Sequence, residues 1–297
     1  MEITLLGTTS AIPTKFRNHS AIALKAFGEV MLFDCGEGTQ RQLNFAKISP
    51  MKISKIFISH FHGDHILGLG GLINSMGFRG RNSKLDIYGP KGLEKLIDSI
   101  LKVAYTTVDF PLEIHEISEG ILIENEEYLI TSAKGKHNLL NYGYSVEEKK
   151  KPRFNREKAI ELGVEVGPDF GKLQNGEEVT VNGKVIKPEY VLGSPRKGKK
   201  FTYSGDTMAC ESMINLAKDS DLLIHESTYT NEDELKALEN KHSTSSQAAS
   251  IAKQANVDKL VLTHISPRYT NTKQLEKEAR EVFENTIIGK DYLTIEL

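Results

Sequence analysis

The segment His60-Phe61-His62-Gly63-Asp64-His65 places three imidazoles and a carboxylate within six residues, directly after the apolar, β-branched run Ile56–Ser59. Side chains alternate along an extended chain, so His60 and His62 project to the same side. Both then reach one metal ion at about 2.0–2.1 Å, the usual zinc–nitrogen distance. Gly63 permits a sharp turn. Asp64 and His65 follow at the start of the next helix, where they can reach a second ion. The spacing is too specific to be an accident of composition.

One such segment cannot complete two metal sites, and the chain has nine histidines to draw on. His264 ends the apolar run Leu260–Thr263, and His137 precedes the strand-like run at Tyr142. Asp206 follows Phe201–Ser204 beside Gly205, where one carboxylate can bridge two cations. Taken singly, each of these is more often a surface or supporting residue. Their common position at strand ends points to a metal centre. Its nitrogen and oxygen ligands tolerate zinc, manganese or iron.

The elements that must carry these residues alternate along the chain. Strand-like runs are Ile3–Leu6, Ala21–Leu24, Val30–Phe33, Ile56–Ser59, Leu85–Tyr88, Tyr128–Thr131, Tyr142–Val146, Phe201–Ser204, Leu222–His225, Leu260–Thr263 and Tyr292–Glu296. Helical periodicity marks Leu93–Val103, the surroundings of Leu216, Ser245–Gln254 and Gln274–Phe283. Two strand-then-helix halves predict an α/β chain folded as a four-layer αββα sandwich, with two sheets face to face and helices outside.

Residues 147–200 differ in composition. Across 145–200 there are 13 Lys and Arg against 9 Asp and Glu, about +4, whereas the whole chain carries −2. Glycine and proline breaks, Gly167–Pro168 among them, interrupt the stretch. It reads either as an inserted basic arm within a single domain spanning 1–297 or as a long solvated loop.

Composition bounds the remaining classes. At 39% hydrophobic over 297 residues the chain can bury a sizeable core. The net charge gives no global nucleic-acid signature, so any RNA contact must be local. No apolar run approaches the roughly 20 residues of a membrane span, and no basic-then-apolar leader opens the chain. Cys35 and Cys210 are isolated and read as free thiols of a cytoplasmic protein.

The segment at 60–65, with Gly205-Asp206-Thr207 and Leu262-Thr263-His264 far downstream, resembles the metallo-β-lactamase superfamily. Four further segments resemble one branch, the tRNase Z (ribonuclease Z) family in its short form. They are Pro13-Thr14-Lys15-Phe16-Arg17-Asn18, the run from Phe33 to Gln40, His225-Glu226-Ser227-Thr228, and His242-Ser243-Thr244 with Gln247-Ala248-Ala249. The arm with its Gly167–Pro168 pair matches that family as well.

The resemblance implies two zinc ions per subunit, with manganese or iron as alternatives. His60, His62 and His137 would hold one, Asp64, His65 and His264 the other, and Asp206 would bridge them. Asp34 would support the cluster. Asp64 would orient the attacking water as base, and Glu226 with His242 would deliver a proton to the leaving oxygen. Lys15, Arg17 and the arm at Gly167 and Pro168 would hold RNA, with Arg79 and Arg81 as further phosphate contacts. The implied function is removal of the 3′ trailer from precursor tRNA, leaving a 3′-hydroxyl on the tRNA and a 5′-phosphate on the trailer, by a homodimer. Two rival readings are a small-molecule hydrolase of the same fold and a non-catalytic RNA-binding scaffold.

Overall fold

The computed structural model describes residues 1–103 and 107–297, which form two compact units. One comprises residues 1–124, 129–147 and 199–297; the other comprises 125–128 and 148–198.

The strands in chain order are β1 (Glu2–Gly7), β2 (Ala21–Ala26), β3 (Glu29–Phe33), β4 (Ile53–Phe57), β5 (Leu85–Gly89), β6 (Leu112–Glu116), β7 (Gly120–Glu124), β8 (Tyr128–Lys134) and β9 (Tyr142–Glu148). They continue as β10 (Val179–Val181), β11 (Lys184–Ile186), β12 (Lys200–Tyr203), β13 (Leu222–Glu226), β14 (Leu260–Thr263), β15 (Thr286–Ile288) and β16 (Thr294–Glu296). The α-helices are α1 (Thr39–Phe45), α2 (Gly63–Ile66), α3 (Leu69–Phe78), α4 (Leu93–Val103), α5 (Arg156–Glu161), α6 (Pro168–Gln174), α7 (Glu211–Ala217), α8 (Glu234–Asn240), α9 (Ser245–Gln254) and α10 (Lys273–Val282).

In the larger unit one seven-stranded sheet has the order β16-β1-β2-β3-β4-β5-β6 and the other β15-β14-β13-β12-β9-β8-β7. Aromatic rings join them face to face. Phe33 on β3 meets Phe201 on β12 at 5.4 Å, and Phe57 on β4 meets Tyr144 on β9 at 5.3 Å between ring centroids. Outside the first sheet, Leu43, Leu69, Ile73 and Leu93 of the helices pack on Leu32, Ile56 and Ile87. Outside the second, Met213, Ala248, Ile251 and Leu275 pack on Leu223, Leu260 and Leu262. The result is the expected αββα sandwich, the metallo-β-lactamase fold.

Strands β3 to β6 run parallel, as do β12 to β15. Parallel strands release their following loops at one edge, where open α/β sheets place their sites. Here the chain leaving β4, β12, β13 and β14 carries the segment at 60–65, Asp206, the run 227–228 and His264. Strands β6, β7, β10, β11 and β15 lie outside the predicted runs, because each is too short or too exposed to show a clear alternation.

The smaller unit holds α5, α6 and the hairpin β10–β11 around Ala159, Val164, Leu173, Val179, Ile186 and Val191. Asn155 caps α5 by accepting from the Lys158 amide. Pro168 occupies the first turn of α6, where its missing N–H costs nothing, with Gly167 as the preceding cap.

Candidate metal centre and proton-relay site

The backbone after β4 is extended, and α2 begins at Gly63 with His62 as its cap residue. That geometry turns His60 and His62 to one point and lifts Asp64 and His65 toward another. His60 Nε2 lies 2.9 Å from His62 Nδ1, and His137 Nε2 lies 3.2 Å from the same atom. On the other side, His264 Nε2 is 3.3 Å from both His65 Nε2 and Asp64 Oδ2. Asp206 Oδ2 stands between the groups, 3.6 Å from His60, 3.3 Å from His65 and 3.2 Å from His264. The structure thus brings all seven candidate ligands together.

Several features fit this cluster to metal ions. Five imidazole nitrogens and two carboxylates point inward at separations a shared cation would span. Asp206 Oδ1 is buried with no hydrogen-bond partner among the described residues, an expensive state without a cation. Outward-facing nitrogens are held, which fixes the rings. His65 Nδ1 meets Asp34 Oδ2 at 2.7 Å, His60 Nδ1 meets Ser59 Oγ at 2.9 Å, and His137 Nδ1 donates to the Lys241 carbonyl at 2.9 Å. Such outer contacts orient metal-binding histidines and set their tautomers.

Asp34 is itself braced. It accepts from the Ser59 amide at 2.7 Å, the Ser59 hydroxyl at 2.8 Å and the Tyr203 hydroxyl at 2.7 Å. Its φ of +57° is left-handed, a strain the surrounding bonds must hold. Burial would raise the Asp206 carboxyl, but the imidazoles of His264, His65 and His60 outweigh it and hold the group well below the carboxylate range.

Next to the cluster lies a second constellation. Glu226, fully buried at the end of β13, has Oε1 2.8 Å from His242 Nδ1. The carboxylate also accepts from the amides of Thr207 at 2.9 Å, Thr228 at 3.1 Å and Ser243 at 3.1 Å, and from the Thr228 hydroxyl at 2.8 Å. Burial opposes its ionisation, but the charge and hydrogen bond of His242 outweigh it and hold the carboxyl below its usual range. Burial alone would lower His242, yet the Glu226 charge and hydrogen bond prevail and push it up to about 9. A cationic imidazole therefore lines the same cleft, of about 810 Å³, as Asp64, His62 and His137.

The cationic candidates separate. Lys15 is exposed, with its ammonium 5.6 Å from the Phe16 ring centroid. Arg17 turns inward instead and donates to Thr8 Oγ1 at 2.7 Å and the Gly289 carbonyl at 2.6 Å, and burial lowers its pKa. Arg81 is buried and is spent on the carbonyls of Ser83, Met51 and Lys84. Both guanidiniums thus hold parts of the fold together, Arg17 through one of its terminal nitrogens and Arg81 through its Nε and both terminal nitrogens. Gly167 and Pro168 belong to the smaller unit. Sequence reasoning named no role for Thr228 or for the Lys241 carbonyl. Thr228 was visible only as part of a motif, and a main-chain carbonyl carries no residue-type signal.

Family models match two parts of the chain: "Anti-Pycsar protein Apyc1" over residues 1–146 and "Beta-lactamase superfamily domain" over 188–265. The ribonuclease Z of Methanothermobacter thermautotrophicus is 54% identical over 297 residues, covering 100% of this chain and 97% of that protein. The chain belongs to the ribonuclease Z family. The ribonuclease Z of Bacillus mycoides is 46% identical, covering 98% of this chain and 97% of its own. Among solved structures, human tRNase Z, short form, superposes with a TM-score of 0.73 at 27% identity, covering 100% of this chain and 99% of that one. As a ribonuclease Z family member the chain is an enzyme, a metal-dependent hydrolase of the nuclease class. Among the described residues no helix is long and apolar enough to cross a membrane.

Proposed function

We propose that this chain is a zinc-dependent endoribonuclease that removes the 3′ trailer from precursor tRNA. One observation carries the reading: His242, held by Glu226 at 2.8 Å, lines the same cleft as His62, Asp64, His137, Asp206 and His264 of the cluster. Beside a metal cluster, that pairing supplies the proton donor that RNA hydrolysis needs. His60, His62 and His137 would hold one zinc ion, Asp64, His65 and His264 a second, with Asp206 between them; manganese or iron would suit the same donors. When bound, two such ions lower the pKa of water toward about 7 and neutralise charge on the phosphate.

The chain's own residues do the rest. Asp64 Oδ2 accepts from the Ala11 amide at 2.7 Å, which fixes the carboxylate at the cleft. Burial opposes its ionisation, but the hydrogen bond and charge of His264 and the charge of His65 hold it below the carboxylate range. An anion so held accepts a hydrogen bond from the attacking water and aims it at phosphorus. The bond from phosphorus to the 3′ oxygen breaks as water adds and passes a proton to Asp64, and His242 gives the leaving oxygen its proton. Glu226 stabilises the imidazolium before transfer and keeps its ring in place. The products are a tRNA 3′-hydroxyl and a trailer 5′-phosphate.

The exposed Lys15 would meet backbone phosphate, and the basic smaller unit, with Gly167 and Pro168, would also grip the tRNA. A homodimer working in the cytoplasm completes the proposal. The test is to incubate metal-analysed protein with a precursor tRNA and map the cut and its end groups. A single cut near the acceptor end with a 3′-hydroxyl is expected. Two bound metals with no cut, and turnover of a small ester instead, would move the assignment to a small-molecule hydrolase.

A further inference from the structure

Past the catalytic cleft, the loops 11–17 and 266–272 continue as walls of a second hollow of about 520 Å³, which meets the cleft at Ser266 and Pro267. Its lining is aromatic and cationic. Phe16 is 80% exposed, an uncommon state for so large an apolar ring. Pro267, Tyr269 and Tyr292 add flat apolar surface, and Lys290 adds charge at the rim. The one carboxylate there, Asp291, is turned to internal donors, the Asn18 amide and the Thr8 hydroxyl, each at 2.7 Å. The Arg17 guanidinium beside it is its counter-charge.

We infer that this hollow binds an unpaired nucleotide of the substrate's trailer, with its base stacked on Phe16 and its phosphate near Lys290. The inference rests on the RNA-cleaving reading above. The volume falls in the range of small-ligand sites, about 300–1,000 Å³, and excludes a duplex. Aromatic faces next to cations are how proteins hold single strands without reading sequence.

The direction of the chain follows from the site. The oxygen protonated by His242 stays with the tRNA, so the tRNA lies on the His242 side, among Asn138, Tyr229 and Asn240. The hollow opens instead from the loop whose Ala11 amide holds Asp64. A strand leaving the phosphate away from His242 enters it.

The probe is a 5′-phosphorylated hexaribonucleotide, of the trailer product class, carrying 4-thiouridine at its second position. It is mixed with the full-length, metal-loaded protein, its affinity is measured, and the crosslink is mapped after irradiation. The expected result is a crosslink within 14–17, 266–272 or 290–292, with binding weakened roughly ten-fold by Phe16→Ala, the loss of one stack. Phe16 is exposed, so that variant keeps its fold, and unchanged melting verifies it. Crosslinks elsewhere, no binding, or equal affinity of Phe16→Ala would overturn the site. A precursor tRNA labelled at the discriminator base that crosslinks in the hollow would give it to the tRNA side and overturn the trailer assignment. Failure of the wild-type protein to cut precursor tRNA is scored separately, and it would remove the function while leaving the oligonucleotide result readable.

Discussion

Replacing Thr228 by valine tests how the metal ligands and the proton relay are joined. The Thr228 hydroxyl is buried, 2.8 Å from Glu226 Oε2 and 2.9 Å from His264 Nδ1. A carboxylate only accepts, so the hydroxyl donates to Glu226 and must accept from the His264 Nδ1–H. That leaves His264 Nε2 with its lone pair toward Asp64 and Asp206, as a metal ligand requires. Valine keeps the shape and removes both bonds. The stranded Nδ1–H costs about 1–3 kcal/mol, which agrees with the roughly 10–100-fold loss of metal affinity seen when such outer partners are removed. Glu226 retains its three amide donors and His242, so the relay itself survives. Zinc affinity by chelator competition should fall by one to two orders of magnitude in Thr228→Val and recover in Thr228→Ser. Wild-type affinity in a folded Thr228→Val protein would refute the tautomer argument.

Charge and contact set the remaining outcomes. Glu226 raises His242 to about 9, so protonated His242 persists to that pH and activity falls above it. Glu226→Gln should move the alkaline limb of the pH–rate profile down toward the ordinary imidazole value near 6.5, read by single-turnover cleavage. The raised pKa also means that the stabilisation from this pair is complete below about 6.5 and is lost as pH rises through about 9. Arg17→Ala should lower the melting temperature, because it removes two internal hydrogen bonds. Lys15→Ala should leave melting unchanged and reduce the salt slope of tRNA binding by about one.

The cluster was readable in the sequence because its candidate ligands sit where period-two strands end. The segment at 60–65 needs only an extended chain and a glycine turn to arrange four ligands, and both are local properties. Asp206 and His264 were legible as polar residues just past apolar runs. The layers followed from alternation of strand and helix, while the edge strand β7, with most positions exposed, gave little pattern. Charge alone gave no direction for Arg17 and Arg81, whose side chains also bond inside the fold, Arg17 to the Gly289 carbonyl and Arg81 to the Met51 carbonyl. The brace on His137 comes from the carbonyl of Lys241, whose left-handed backbone ends α8. Only tertiary structure creates such a contact.

The central claim is that a metal cluster and a separate proton donor act together in one cleft. The most direct measurement compares wild type with His242→Ala, counting bound metal and timing single-turnover cleavage of precursor tRNA on the same samples. Equal metal content is expected, with a rate lower by about 10²–10⁴, the usual worth of a general acid. Undiminished cleavage by His242→Ala with its metals in place would contradict it.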